Sequence, residues 1–340
     1  MRAIVFAKPG EFSLTEIPDP VPGPREAVVR VEAVGVRGTD VHVLDGEFAP
    51  TVFPIVPGHE TSGVVVSVGD EVTNVAPGDP VALDPSFYCG AFSFCMVGRG
   101  NLCENWDGAG VVRTDGLAAE LVRSPAKNLH RLPQSVDLAL AALIEPLSCA
   151  IHAYDLLPRW IGAHYLIYGA GTMGLIMDQL APRAGAASVT IVDSNPQRLD
   201  AAREVGIELL GNNADEVARP GGWDTVIDCT GSVSAIEDGL RRVRRGGTFQ
   251  QFGVAASDAS ATFSPFRIYN DEVRVVGSMA VLHSYARAAE MFVAGALNGK
   301  PMVSHAFALT DYGDALEVFR TGTGRKVQIR PQATESVELL

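Results

Sequence analysis

The sequence predicts a two-domain α/β protein, a β-rich unit joined to a doubly wound parallel sheet. Two observations carry this. Up to about residue 155, short apolar runs alternate with turn signals such as Val21-Pro-Gly-Pro24 and Ala76-Pro-Gly-Asp79, the pattern of a mostly β unit. Beyond residue 158, apolar runs alternate with helical stretches, and the first of them opens into a glycine-rich turn, as in a parallel sheet covered by helices. A length of 340 residues agrees with two domains rather than one.

The elements follow in order. In the first unit, strands are expected at 3–6, 26–34, 63–68 and 80–83, and a helix over 137–157, where Leu138-Ala-Leu-Ala-Ala-Leu-Ile144 is a strong helix former. In the second, strands are expected at 164–168, 188–193, 224–228, 247–253 and 273–277. The chain should then return to the first unit, which gives expected boundaries of 1–157 with 286–340 and of 158–285. Residues 331–340 read as a loose tail.

Composition excludes several functions. Lys and Arg number 27 against 40 Asp and Glu, a net charge of −13, which disfavours nucleic acid and anionic membrane as partners. The opening Met1-Arg-Ala-Ile-Val-Phe-Ala-Lys8 is too short in its apolar part for a secretion signal. Residues 160–177 carry no Asp, Glu, Lys or Arg, but four glycines and His164 make them a strand, a turn and a helix start rather than a membrane span. A cytoplasmic enzyme with a small-molecule substrate is the expectation. Of the five cysteines, Cys89, Cys95 and Cys103 cluster, which without a secretion signal points to a metal lobe or its remnant before disulfides.

Gly169-Ala-Gly171-Thr-Met-Gly174 has the spacing of a dinucleotide-binding turn and lies between an apolar strand and a helix, the context that motif requires. The first glycine permits the turn, the second lets the backbone approach a pyrophosphate, and the third lets helix pack on strand. Asp193 ends the next strand, where a carboxylate accepts from ribose hydroxyls and repels a 2′-phosphate, favouring NAD over NADP. Arg198 nearby is the kind of residue that accommodates a 2′-phosphate. Thr172 and Met173 within the turn, and Thr230 and Gly253 after later strands, complete the expected cofactor contacts.

Five segments together resemble the medium-chain dehydrogenase/reductase family, in its zinc alcohol and polyol dehydrogenase branch. They are Gly35-Val-Arg-Gly-Thr-Asp-Val-His42, Pro57-Gly-His-Glu-Thr-Ser-Gly63, Tyr88-Cys-Gly-Ala-Phe-Ser-Phe-Cys95 with Gly98-Arg-Gly-Asn-Leu-Cys103, Glu145-Pro-Leu-Ser148 and the glycine turn. The resemblance implies a GroES-like β-rich catalytic domain, a Rossmann domain binding NAD, and a substrate held between them. It also implies a homodimer or homotetramer, with Rossmann domains pairing edge to edge near 273–277.

Two departures stand out against that resemblance. Relatives usually carry a zinc-binding Cys where this chain has Arg37, while His59, Glu60 and Glu145 remain. A guanidinium ~4 Å from a divalent ion, at an effective dielectric of ~20, is unfavourable by roughly 8 kcal/mol. Arg37 is therefore expected to replace the metal's charge and pair with Glu60, Glu145 or both. In the cysteine lobe, the second of four expected ligands is Phe92, leaving Cys89, Cys95 and Cys103, too few for a closed zinc site.

The resemblance assigns a proton relay to Thr39 and His42. Arg37 either stabilises a developing oxyanion or only neutralises carboxylates; both readings stay open. Lys326, with Arg325, is expected to reach the cofactor pyrophosphate. The reading that follows is an NAD(H)-dependent oxidoreductase acting on a secondary alcohol, polyol or sugar-like substrate without catalytic zinc. One alternative is a zinc enzyme using His59, Glu60 and Glu145. Another is a weakly active NAD(H)-binding protein with a non-catalytic role.

Overall fold

A computed structural model of the chain describes residues 1–48 and 50–339. It divides into two units, one formed by Met1–Ser148, Ala280–Gly295 and Gly299–Leu340, the other by Cys149–Met279 and Ala296–Asn298. The expected boundaries lay at 157 and 285. The first division instead falls inside the continuous helix Ile144–Asp155, and residues 280–285 belong with the first unit.

The first unit is built on an eight-stranded sheet. Its order is Val337–Glu338, Val303–Phe307, Lys326–Ile329, Glu26–Gly35, Glu60–Val68, Pro80–Leu83 and Leu129–Arg131, with Leu121–Pro125 also pairing Glu26–Gly35. Glu26–Gly35 is the centre because it is long and rich in valine, with seven of its ten residues buried. The core beneath it includes Val29, Val31, Leu83, Leu117 and Ile329. Two registers position the site: Gly35 stands opposite Glu60 on one side and Gln328 on the other.

Two expectations are corrected here. The helix expected over 137–157 is two helices, Leu138–Ala141 and Ile144–Asp155. Pro146 has no amide to donate, so it is accommodated in the first turn of a new helix, where amides lack helical partners anyway. The expected loose tail contains the strand Val337–Glu338, which pairs antiparallel with Val303–Phe307 and covers an otherwise open sheet edge.

The second unit is a six-stranded parallel sheet in the order Leu210–Gly211, Ala186–Val192, Ala163–Tyr168, Trp223–Asp228, Val243–Gln251 and Arg274–Gly277. The expected doubly wound topology is therefore present, with one short strand the sequence did not announce. The chain order reverses beside Ala163–Tyr168, the place where such sheets bind ligands beyond their strand ends. Tyr168 stands opposite Val192 and Asp228, and Asp228 opposite Gln251, so the loops after these strands emerge side by side. Leu166, Val226, Phe249 and Leu240 are among the buried residues of its core.

Candidate active site

In the first unit, four charged side chains form a chain of contacts. Arg37 Nη1 donates to Glu145 Oε2 at 2.8 Å, and Arg37 Nε lies 3.3 Å from Glu60 Oε1. The Lys326 ammonium pairs with Glu60 Oε2 and donates to the Val36 carbonyl at 3.1 Å. Glu60 and Lys326 are buried, whereas the Arg37 side chain keeps 22% of its surface exposed. The oxygens of Glu60 have no aligned hydrogen bond, so charge rather than hydrogen-bond geometry holds this carboxylate.

This placement corrects the expectation for Lys326. Its ammonium is not presented to a pyrophosphate; it is buried against Glu60. Gly35 makes that possible, since a Cβ there would collide with Glu60 Oε2 and stand 2.7 Å from Lys326 Nζ. Arg325 is also engaged within the first unit, donating from Nη1 to the Pro301 carbonyl at 2.7 Å.

The local backbone places Arg37 at the start of the helix Gly38–Leu44. Asp40, which the motif reading passed over, ties this start to the His59 loop. Its Oδ2 accepts from the Arg37 amide at 2.8 Å and its Oδ1 from the Gly58 amide at 3.1 Å. Burial raises the Asp40 carboxyl to about 6. His59 Nδ1 lies 3.7 Å from Asp40 Oδ1, and burial, with the charges of Arg37 and Lys326, drives the imidazole well below its ordinary value. His59 is therefore neutral at pH 7.

Thr39 and His42 lie three positions apart on the same helix, which puts them on one face. Thr39 is half-buried, and His42 Nδ1 contacts Glu47 Oε2 at the surface.

His59, Glu60 and Glu145 do not fit a divalent metal as they are arranged. The Arg37 guanidinium engages both carboxylates, while Lys326 engages Glu60 from the other side. An ion added to this arrangement would meet a fixed positive charge that cannot deprotonate. Among the described residues, the one cluster of three groups placed to hold a metal is Cys89, Cys95 and Cys103.

The second unit carries the cofactor cradle. Gly169 has φ +104°, a conformation that favours glycine, and a Cβ at Gly174 would run into the Gly169 carbonyl. A Cβ at Gly171 would meet nothing within 4 Å, which leaves open space where the backbone begins the helix Thr172–Leu180. Thr172 and Met173 form the first turn of that helix. The backbone amides and positive dipole end of a helix start suit a pyrophosphate.

Asp193 follows directly on Ala186–Val192. Its Oδ2 accepts from the Ala170 amide and its Oδ1 from the Asn195 amide, both at 2.8 Å, while Arg198 Nη1 lies 3.7 Å from Oδ2. The carboxylate is thus fixed beside the glycine turn, with spare lone pairs on each oxygen.

Thr230 and Gly253 also converge here. Asp228, another residue the motif reading missed, accepts from the Thr230 amide, the Thr230 hydroxyl, the Gly231 amide and Gln251 Nε2. A Cβ at Gly253 would collide with the Gly231 amide, so these loops touch backbone to backbone. The signal in sequence is an Asp closing the strand Trp223–Asp228 ahead of a Thr-Gly turn.

Comparison with known proteins agrees with the fold of the two units. The alcohol dehydrogenase GroES-like domain matches residues 23–134, and the zinc-binding dehydrogenase domain matches 172–294. D-arabinitol dehydrogenase 1 of Uromyces fabae is 33% identical, over 97% of this chain and 97% of its own. A crystal structure from Sinorhizobium meliloti 1021, described as a zinc-binding dehydrogenase bound to NADP, superimposes with a TM-score of 0.90 at 33% identity, covering 97% of this chain and 99% of that one. A crystal structure from Escherichia coli CFT073, described as a short chain alcohol dehydrogenase complexed with NADH, has a TM-score of 0.89 at 26% identity, with 97% of this chain and 99% of that one covered.

Proposed function

The chain belongs to the medium-chain dehydrogenase/reductase family, and from that premise we propose that it is an NAD(H)-dependent dehydrogenase of a secondary alcohol, polyol or sugar-like substrate that works without catalytic zinc. The observation that carries the proposal is the Arg37 guanidinium, set between Glu60 and Glu145. The D-arabinitol dehydrogenase relative supports the polyol class. The NADP and NADH complexes of the structural neighbours support a nicotinamide dinucleotide, and Asp193 supports the unphosphorylated form.

A bound nicotinamide supplies hydride transfer. The glycine turn, Thr172 and the helix start would hold its pyrophosphate, and Asp193 its adenosine ribose. The protein's own task is then to steady charge on the substrate oxygen and to move one proton. Arg37 is a permanent cation at 22% side-chain exposure, suited to face a developing alkoxide. Glu60 and Glu145 fix its orientation, and Lys326 balances the second carboxylate. The Thr39 hydroxyl accepts and donates, and His42, held by Glu47, exchanges the proton with solvent.

The test is turnover on a polyol and secondary-alcohol panel with NAD, after exhaustive chelation and with metal content measured. Retained turnover at far less than one zinc per chain is the expected result. Turnover that tracks added zinc would overturn the zinc-free reading, and an inert protein across the panel would favour a binding role. Arg37→Ala should lower kcat by ~100-fold or more, with partial recovery in free guanidinium.

A further inference from the structure

The cysteine lobe of the first unit is not used by the chemistry above, yet it is more ordered than three spare thiols require. The sulfurs of Cys89, Cys95 and Cys103 all lie within 4.8 Å of one another, and Cys89 Sγ is 3.4 Å from Cys103 Sγ. Three sulfurs around one trigonal ion at ~2.3 Å bond length stand ~4.0 Å apart. The observed spacing therefore closes on an ion with little movement.

Two backbone amides are aimed at this cluster. Ala91 donates to Cys89 Sγ at 3.4 Å and Asn105 to Cys103 Sγ at 3.3 Å. Each amide comes from the residue two positions after its cysteine, so each of these two sulfurs accepts a hydrogen bond within its own turn. Cys103 is buried, Cys95 half-buried and Cys89 exposed, which leaves one side open to solvent for entry.

The set does not fit a closed tetrahedral zinc site. That geometry needs four ligands. Phe92 stands where a fourth thiol would be, and no His, Asp or Glu among the described residues joins the trio. Phe92 is half-buried at the start of the short helix Ser93–Met96, rather than packed as core. Three thiolates without a fourth donor are instead the preferred set of a soft ion that accepts trigonal coordination.

We propose that Cys89, Cys95 and Cys103 form a three-coordinate site for a soft thiophilic ion of the cuprous class. Binding displaces a proton from each sulfur that is still a thiol, forms three metal–sulfur bonds and changes no oxidation state. The site is independent of the proposed hydride chemistry, because none of its residues belongs to the Arg37 cluster or to the glycine turn.

The experiment titrates the whole reduced protein with Cu(I) under anaerobic conditions against a chromophoric cuprous chelator, with Zn(II) in a parallel series. Uptake of one copper per chain, a sulfur-to-copper absorption band and weaker binding of zinc are expected. Cys89→Ser, at an exposed position, should fold normally and lose at least ~100-fold in copper affinity, since it removes one of three donors. Phe92→Cys should supply the fourth donor and shift the preference to zinc. The proposal is overturned if the chelator keeps the copper, if Cys89→Ser binds as well as the parent, or if zinc binds stoichiometrically and more tightly. It is equally overturned if the protein isolates with a Cys89–Cys103 disulfide and takes up no copper once reduced.

Discussion

Arg37 Nη1 and Glu145 Oε2, 108 residues apart in the chain, meet at 2.8 Å. The Glu145 side chain keeps only 5% of its surface exposed, so its charge has little water to fall back on. Arg37→Ala should therefore destabilise the protein by about 2–4 kcal/mol, somewhat below the cost of breaking a fully buried pair because Arg37 is partly solvated. Denaturant midpoints at constant slope measure this. An unchanged midpoint would mean that water or another cation replaces the guanidinium. Arg37→Lys should recover part of the loss, since a lysine restores the charge without the fork.

Gly35→Ala tests the other half of the cluster. The added methyl would enter the space held by Glu60 Oε2 and the end of Lys326. Two buried charges would have to separate, so a loss of more than ~2 kcal/mol is expected, together with reduced turnover. A stable Gly35→Ala protein with full activity would show that the Glu60–Lys326 pair can shift freely.

On the proposed reading, Asp193 sets the preference between the two dinucleotides. Asp193→Ser should narrow the preference for NAD over NADP by at least ~10-fold, because the repulsion of a 2′-phosphate is removed and Arg198 is released to meet it. Calorimetry with both cofactors measures the ratio. Since Asp193 also holds the Ala170 and Asn195 amides, a modest drop in melting temperature should accompany the change. Equal affinities in the parent protein would refute the assignment.

Asp84 gives a pH signature. Burial, with a contribution from the Glu145 charge, raises its carboxyl to about 7. A raised acid binds its proton more tightly in the folded state. The stability it contributes is complete below the ordinary value of 3.8 and is lost as pH rises through about 7. Asp84→Asn should thus flatten the stability profile between those limits, by more than ~1 kcal/mol at pH 8 relative to pH 5. Parallel profiles for parent and variant would place the titration elsewhere.

The sequence made the second unit legible because its strands are apolar and its glycine turn leads directly into a helix. The charged cluster was partly legible. Arg37 broke a familiar spacing beside two acids, and the structure brings it against both of them. Lys326 reads as a pyrophosphate contact because a lysine at the head of a short apolar strand looks able to reach outward, and its partner Glu60 is a long way off in the chain. The expected boundary and the division by contacts differ by several residues, because nothing in the continuous helix Ile144–Asp155 marks a boundary. Asp40 and Asp228 were overlooked because much of their work is to bind backbone amides, which no spacing of side chains reveals.

The Glu60–Lys326 pair also orders events during synthesis. Glu60 emerges from the ribosome before Lys326, which follows only after the whole of Cys149–Met279 has been made. Until then the acid has no buried ammonium to answer it, and the central strand Glu26–Gly35 lacks its neighbour Lys326–Ile329. A nascent or truncated chain ending before that strand should hold its first unit open, with Glu60 still hydrated. Completion of the site thereby waits on synthesis of the strand Lys326–Ile329.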